Sequence, residues 1–115
     1  MNRSLINHAL ISAEQSKHRY KLGAVVFKQG KILSKGYNET KRGVGKITGY
    51  WEGSLHAEVS AILGVNTSVY GASVLVVRRN LRNSRPCVSC LAFLKRAGIK
   101  RVFYFQDNAL INERL

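Results

Sequence analysis

Residues 72–78 (ASVLVVR) form the most apolar run of the chain. An unbroken run of this kind reads as a strand buried on both faces, because a half-exposed strand would alternate. The residues beyond this run narrow the fold further. A basic loop, 79–85 (RNLRNSR), leads to Pro86, which suits the first turn of a helix running to about Ala97. Gly98 is its stop, and Lys95 and Arg96 fall in the last turn, where the helix dipole favours cations. Residues 100–105 (KRVFYF) then make another strand. Strand, helix and strand in that order form a βαβ unit, so the two strands are expected to be parallel with a right-handed crossover.

The rest of the chain builds outward from this unit. Residues 4–17 carry Leu5, Ile6, Ala9, Leu10 and Ala13 at helical spacing, with Ser4 as the expected N-cap. Two β-rich runs, 22–28 (LGAVVFK) and 31–37 (KILSKGY), are joined by Gln29-Gly30, a good two-residue hairpin turn. Residues 39–53 hold four glycines without clear periodicity and read as a long loop. Residues 54–64 regain the helical period, with Ser54 to cap the start and Gly64 to end it. The last ten residues, QDNALINERL, suit either a short edge strand or a loose tail. The order implies an α/β fold, a mixed sheet of four to five strands with helices packed on it. No linker, repeat or low-complexity tract divides the chain, so residues 1–115 are expected to form a single domain.

Charge and thiol count limit the function classes. Nineteen Lys and Arg stand against six Asp and Glu, a formal net charge of +13. That excess excludes an acidic, inert scaffold and points to a phosphorylated or polyanionic partner. No apolar run approaches the roughly 20 residues that span a bilayer. The N-terminal stretch lacks a signal-peptide core, so a cytoplasmic location without membrane attachment is expected. The only cysteines, Cys87 and Cys90, are too close in sequence to staple a fold and read as metal or redox chemistry.

Spacing favours the metal. Cys87 and Cys90 stand at i and i+3 in the first turn of the expected helix, so their sulfurs share nearly one face, and the dipole there favours the thiolate. His56 opens the other expected helix, and one imidazole with two thiolates suits Zn²⁺. Neither His8 nor His18 has a neighbouring ligand motif, so three protein ligands leave one position open, the mark of a catalytic zinc. Glu58, two residues beyond His56, points away from the imidazole and is badly placed to bind the same ion. Beside the open position, it is instead suited to take a proton from water. A Cys-x-x-Cys pair alone more often marks a structural zinc knuckle or a redox pair. The His-Ala-Glu run upstream and the proline before Cys87 favour catalysis, and a thioredoxin-like pair would sit directly after its strand.

His56-Ala57-Glu58 with Pro86-Cys87-Val88-Ser89-Cys90 resembles the H-x-E…P-C-x-x-C signature of the zinc-dependent nucleobase deaminases. LGAVVFKQGKILSKGYN and RPCVSCLAFLKRAGIKRVFYF are similar to segments of the deoxycytidylate and tRNA adenosine deaminase branch, so the resemblance covers most of 5–105. It implies a three-layer α-β-α cytidine-deaminase-like fold and hydrolytic loss of the exocyclic amine of cytosine, or of adenine. It implies that His56, Cys87 and Cys90 ligate zinc and that Glu58 shuttles protons. It further implies that Asn38 hydrogen-bonds the nucleoside and that the Ala57 backbone N–H meets the carbonyl edge of the base. The chain departs from the deoxycytidylate enzymes at Val59-Ser60, where they more usually carry a polar Asn. It also ends soon after strand 100–105, short of the region that in those enzymes adds a fifth strand and a terminal helix.

The cations gather around these motifs. Arg78, Arg79, Arg82 and Arg85 lead into the cysteine helix, while Lys41, Arg42, Lys46, Tyr50 and Trp51 precede His56. Such a rim suits phosphate neutralisation with base stacking, which makes Arg78, Arg79 and Trp51 candidate substrate contacts. The expected function is deamination of cytosine to uracil in a deoxycytidylate-type nucleotide or a single-stranded nucleic acid. An adenosine deaminase acting on RNA is the first alternative. A catalytically silent, zinc-stabilised nucleic-acid-binding module is the alternative of another class. Assembly into a homo-oligomer is compatible with the sequence and not required by it.

Overall fold

The computed structural model describes residues 3–17, 20–40, 54–65 and 68–115. Helix α1 (Arg3–Glu14) precedes strands β1 (Leu22–Lys28) and β2 (Lys31–Tyr37), then the short strands β3 (Glu39–Thr40) and β4 (Ser54–Leu55). Helix α2 (Ala57–Leu63), strand β5 (Ser73–Arg78), helix α3 (Val88–Ala97) and strands β6 (Arg101–Gln106) and β7 (Ala109–Arg114) complete the order. The main sheet has five strands in the order β2-β1-β5-β6-β7. Its β5–β6 pair is parallel, as the βαβ order requires, and the other neighbours are antiparallel.

Alternation along the strands sorts the core into two layers. Ala24, Val26, Val74, Val76, Val102 and Tyr104 face one side, where Ala57, Ala61 and Leu94 of α2 and α3 cover them. Val25, Leu75 and Val77 face the other side, under Leu5 and Ala9 of α1. Helices therefore lie on both faces, the three-layer arrangement expected. β5 is buried along its four central residues, in keeping with its lack of alternation.

The two hairpin turns use left-handed backbone at both central residues, as right-twisted strands demand. At Gln29 and Gly30 φ is 53° and 78°, and at Asp107 and Asn108 it is 52° and 65°. The second turn settles the C-terminal segment: residues 109–114 pair antiparallel with β6 as the fifth strand, the edge-strand alternative of the two readings. Asp and Asn are the residues that tolerate positive φ best after glycine.

Three expected helix starts move. Ser4 lies inside α1 instead of capping it. Ser54 belongs to β4, which pairs with β3, so part of the stretch read as loop forms a small ladder; residues 41–53 lie outside the described residues. Residue 56 thereby becomes the N-cap of α2, extended at φ −70° and ψ 152°. In the same way Pro86 precedes α3, and Cys87 is its N-cap at φ −70° and ψ 167°. Gly98 ends α3 in the left-handed region at φ 93°, as predicted.

Candidate active site

Both motifs sit at helix starts, where His56, just after β4, and Cys87, just after Pro86, are extended cap residues. α2 and α3 pack side by side through Val59, Cys90 and Phe93, which brings the two starts together. The donor atoms of His56, Cys87 and Cys90 all lie within 4.8 Å of one another. His56 Nδ1 lies 3.2 Å from Cys90 Sγ. Zn–S bonds near 2.3 Å and Zn–N bonds near 2.0 Å at tetrahedral angles place donor atoms roughly 3.5–3.8 Å apart. The observed separations bracket that spacing, so this donor set fits a zinc ion.

Cys90 is fully buried and Cys87 is exposed, so the group spans the boundary between core and solvent. Glu58 is buried to 3% exposure on the first turn of α2, and its Oε1 is 3.8 Å from His56 Nδ1. It is closer to the imidazole than its spacing implies. The expected divergence assumed that both residues are helical, whereas the extended backbone of His56 lets its ring swing back over the first turn. Glu58 still stands outside the donor group.

These residues open on a cavity of about 240 Å³ lined by Leu22, Asn38, His56, Ala57, Glu58, Val76, Ser84, Arg85, Pro86 and Cys87. Ala57 is the first helical residue, and the first α2 bond runs from the Ser60 N–H to the His56 carbonyl, so the Ala57 N–H has no partner within the helix. Asn38 reaches the same cavity, but its amide also holds the wall together. Its Oδ1 accepts from the Leu22 N–H at 2.9 Å, and its Nδ2 donates to the Tyr20 carbonyl at 2.8 Å. One N–H and one lone pair are left over for a ligand.

No local pattern marked the partners that fix the loop before Cys87. Ser84 is buried, its hydroxyl donates to the Val76 carbonyl at 2.8 Å, and it accepts from the Phe105 N–H at 3.0 Å. Arg85 forms a bidentate pair with Glu113 of β7, at 2.8 and 3.1 Å. The Tyr104 hydroxyl faces the same carboxylate. Hydrogen bonding to Arg85, then to Tyr104, holds the Glu113 carboxyl below its usual range, while burial foremost pushes the Tyr104 phenol up. The one available signal was scarcity, since Glu113 is one of only six acidic residues in a strongly basic chain.

Other expected contacts fall elsewhere. Arg78 and Arg79 are absent from the cavity at His56 and line a separate pocket with Tyr20, Lys21, Asn80 and Arg82. They leave the end of β5 on the Lys21 side, where Leu22 pairs with Arg78. Trp51, with Lys41, Arg42, Lys46 and Tyr50, lies outside the described residues, as does His18. Among the described residues no helix is long and apolar enough to cross a membrane.

A mixed sheet with a His/Cys/Cys donor group and a buried carboxyl at one pocket suits a zinc-dependent hydrolase. The family model for the cytidine and deoxycytidylate deaminase zinc-binding region matches residues 1–106, and the chain belongs to that family of zinc-dependent deaminases. Solved structures agree in fold. The dCMP deaminase of cyanophage S-TIM5 is 26% identical, with a TM-score of 0.62 over 92% of this chain and 86% of that one. Cytidine deaminase from Burkholderia pseudomallei is 18% identical, with a TM-score of 0.73 over 99% of this chain and 92% of that one. A structure from work on tRNA:A34 deaminases is 24% identical, with a TM-score of 0.58 over 91% of this chain and 77% of that one. Among curated protein sequences none matches the chain significantly.

Proposed function

We propose that the chain, as one deaminase domain over residues 1–115, hydrolyses the exocyclic amine of a cytosine carried by a phosphorylated substrate. That substrate is a deoxycytidylate-type nucleotide or a single-stranded nucleic acid. The observation that carries the reading is the Glu58 carboxylate, buried beside the His56/Cys87/Cys90 group at the wall of a cavity. A binding module has no use for a buried acid at that point, and burying one without a task costs stability.

In this reading His56, Cys87 and Cys90 hold the ion. Zinc bound there supplies Lewis acidity, the means of making water nucleophilic at neutral pH. Glu58 takes one proton from the attacking water and passes it to the ring nitrogen, then takes the second from the new hydroxyl and passes it to the amine as the C–N bond breaks, so that ammonia leaves and a carbonyl remains. The Ala57 N–H donates to the carbonyl edge of the base, and the spare Asn38 amide capacity orients the sugar. Arg78 and Arg79 contact phosphate from the neighbouring pocket, and Trp51 stacks on the nucleotide. A cytoplasmic setting accords with two unbridged thiols.

The test is ammonia release from dCMP, CMP, cytidine, adenosine and short single-stranded oligomers, with Glu58→Gln alongside. The parent is expected to turn over a cytosine substrate, and Glu58→Gln to lose about 10²–10⁴-fold while keeping its zinc. Turnover of adenine-bearing RNA alone would move the assignment to an RNA adenosine deaminase. Equal, background release from parent and variant on every substrate would end the enzymatic reading.

A further inference from the structure

Beside the catalytic cavity lies a second pocket, of about 370 Å³, lined by Tyr20, Lys21, Arg78, Arg79, Asn80 and Arg82. It draws on two segments far apart in sequence. The residues entering β1 and those leaving β5 are tied by the Arg79 N–H donating to the Lys21 carbonyl at 2.9 Å. Of the four cations, Arg79 is paired with Glu14 at 2.9 Å. Arg78 lies over the Tyr20 ring, 4.8 Å from its centroid, and that ring is 55% exposed. Among the described residues, no carboxylate pairs with Lys21, Arg78 or Arg82. Like charges gathered in one concavity repel one another, and an anion relieves that repulsion.

The two pockets share a wall and no lining residue. Leu22 faces the catalytic cavity, while Tyr20 and Lys21 face the basic one. Asn38 of the catalytic cavity donates to the Tyr20 carbonyl at 2.8 Å, which ties the two linings together. Three cations free of carboxylates among the described residues, beside a half-exposed aromatic ring, suit a phosphate backbone with stacked bases.

We infer that this basic pocket binds phosphodiesters of a single-stranded polynucleotide flanking the base that occupies the catalytic cavity. The inference rests on the deaminase reading and narrows its substrate to a polymer. A probe without an exocyclic amine on its bases keeps the two separable. Binding of fluorescent oligothymidylate is measured by anisotropy over a series of salt concentrations, with dTMP as competitor. The parent is expected to show a log–log slope of roughly −2, about −0.7 for each phosphate neutralised. Lys21→Gln/Arg82→Gln is expected to flatten the slope by about 1.4. Neither replaced side chain has an ion-pair partner among the described residues, and zinc content with melting temperature checks the fold.

Lys95 and Lys100, in a pocket lined in part by Gly71 and Gly98 near the opposite ends of the parallel strands, provide the control. Lys95→Gln/Lys100→Gln is expected to leave the slope within about 0.3 of the parent's. Equal flattening by both double variants would mean bulk charge and overturn the inference. So would a parent slope near zero, or competition by dTMP at the oligomer's own affinity. Should Lys21→Gln/Arg82→Gln fail to fold, Arg82→Glu alone is expected to weaken oligothymidylate binding, and unchanged binding there would overturn the inference equally. Ammonia release enters none of these outcomes.

Discussion

Glu58 and Asn38 show how one side chain in this site serves two demands. Glu58 must be buried to sit beside the donor group, yet keep an oxygen toward the cavity. Asn38 spends half its hydrogen-bonding capacity tying Tyr20 and Leu22 together. Asn38→Asp keeps an acceptor for the Leu22 N–H but sets a carboxylate oxygen against the Tyr20 carbonyl. Stability to urea is expected to fall by about 1–3 kcal/mol at neutral pH, since a buried acceptor loses its donor. Cys90→Ala is the companion case on the metal side. It is expected to abolish stoichiometric zinc binding, read by elemental analysis, whereas Val88→Ala on the exposed face of the same turn should leave zinc content unchanged.

At the scale of elements, two glycines decide how closely helices approach the sheet. A Cβ on Gly36 of β2 would run into the backbone of Ala61 and Ala57 in α2, and one on Gly23 of β1 into the backbone of Ala9 and Ala13 in α1. Both contacts are with main chain that cannot step aside. Gly23→Ala and Gly36→Ala are each expected to cost about 1–3 kcal/mol of stability, the usual range for overpacking. Their effects on the site should differ. Gly36→Ala pushes on the helix that carries Glu58 and is capped by His56, so zinc affinity should fall with stability; Gly23→Ala pushes on α1 and should spare it. Zinc titration of both variants, alongside thermal melts, checks the difference. The C-terminal strand is tied to the site in a similar manner, by Glu113 on Arg85, two residues before Cys87. The Glu113 carboxyl titrates below its ordinary 4.5, so its contribution is present at neutral pH and is lost as pH falls from about that value through the lowered one. Parent and Glu113→Gln should therefore differ in melting temperature at pH 7 and converge as the medium is acidified below pH 4.5.

For the molecule as a whole, the His56/Cys87/Cys90 donor group lies across the meeting of α2 and α3. It joins residues 31 positions apart, His56 and Cys87, across a seam whose fully buried residues are Val59 and Cys90. An ion that binds only the folded chain stabilises it by about 2.7 kcal/mol at a hundredfold excess over its dissociation constant. Chelation is expected to lower the melting temperature by several degrees, and stoichiometric zinc to restore it; a melt indifferent to both would separate the thiols from any metal. The same scale explains what local patterns could and could not reveal. Gln29-Gly30 and Gly98 were legible because positive φ leaves a mark on residue choice, and β5 because burial on both faces leaves an apolar run. Asp107-Asn108 carries a similar mark in weaker form, and β7 went undecided because an edge strand alternates only loosely.

Sequence alone determined the order of the major strands and helices, the parallel pair about α3, the Gln29-Gly30 hairpin and the motif that identifies the donor group. Each of these depends on neighbours within a few residues, where periodicity, turn chemistry and ligand spacing act directly. Only the tertiary structure decided that His56 is a cap and so lies within 3.8 Å of Glu58. It alone parted Arg78 and Arg79 from the catalytic cavity, set Glu113 against Arg85 and gave the fifth strand its place. Those outcomes arise from sheet register and from helices seated against glycine, contacts between residues whose separation along the chain carries no information about their separation in space.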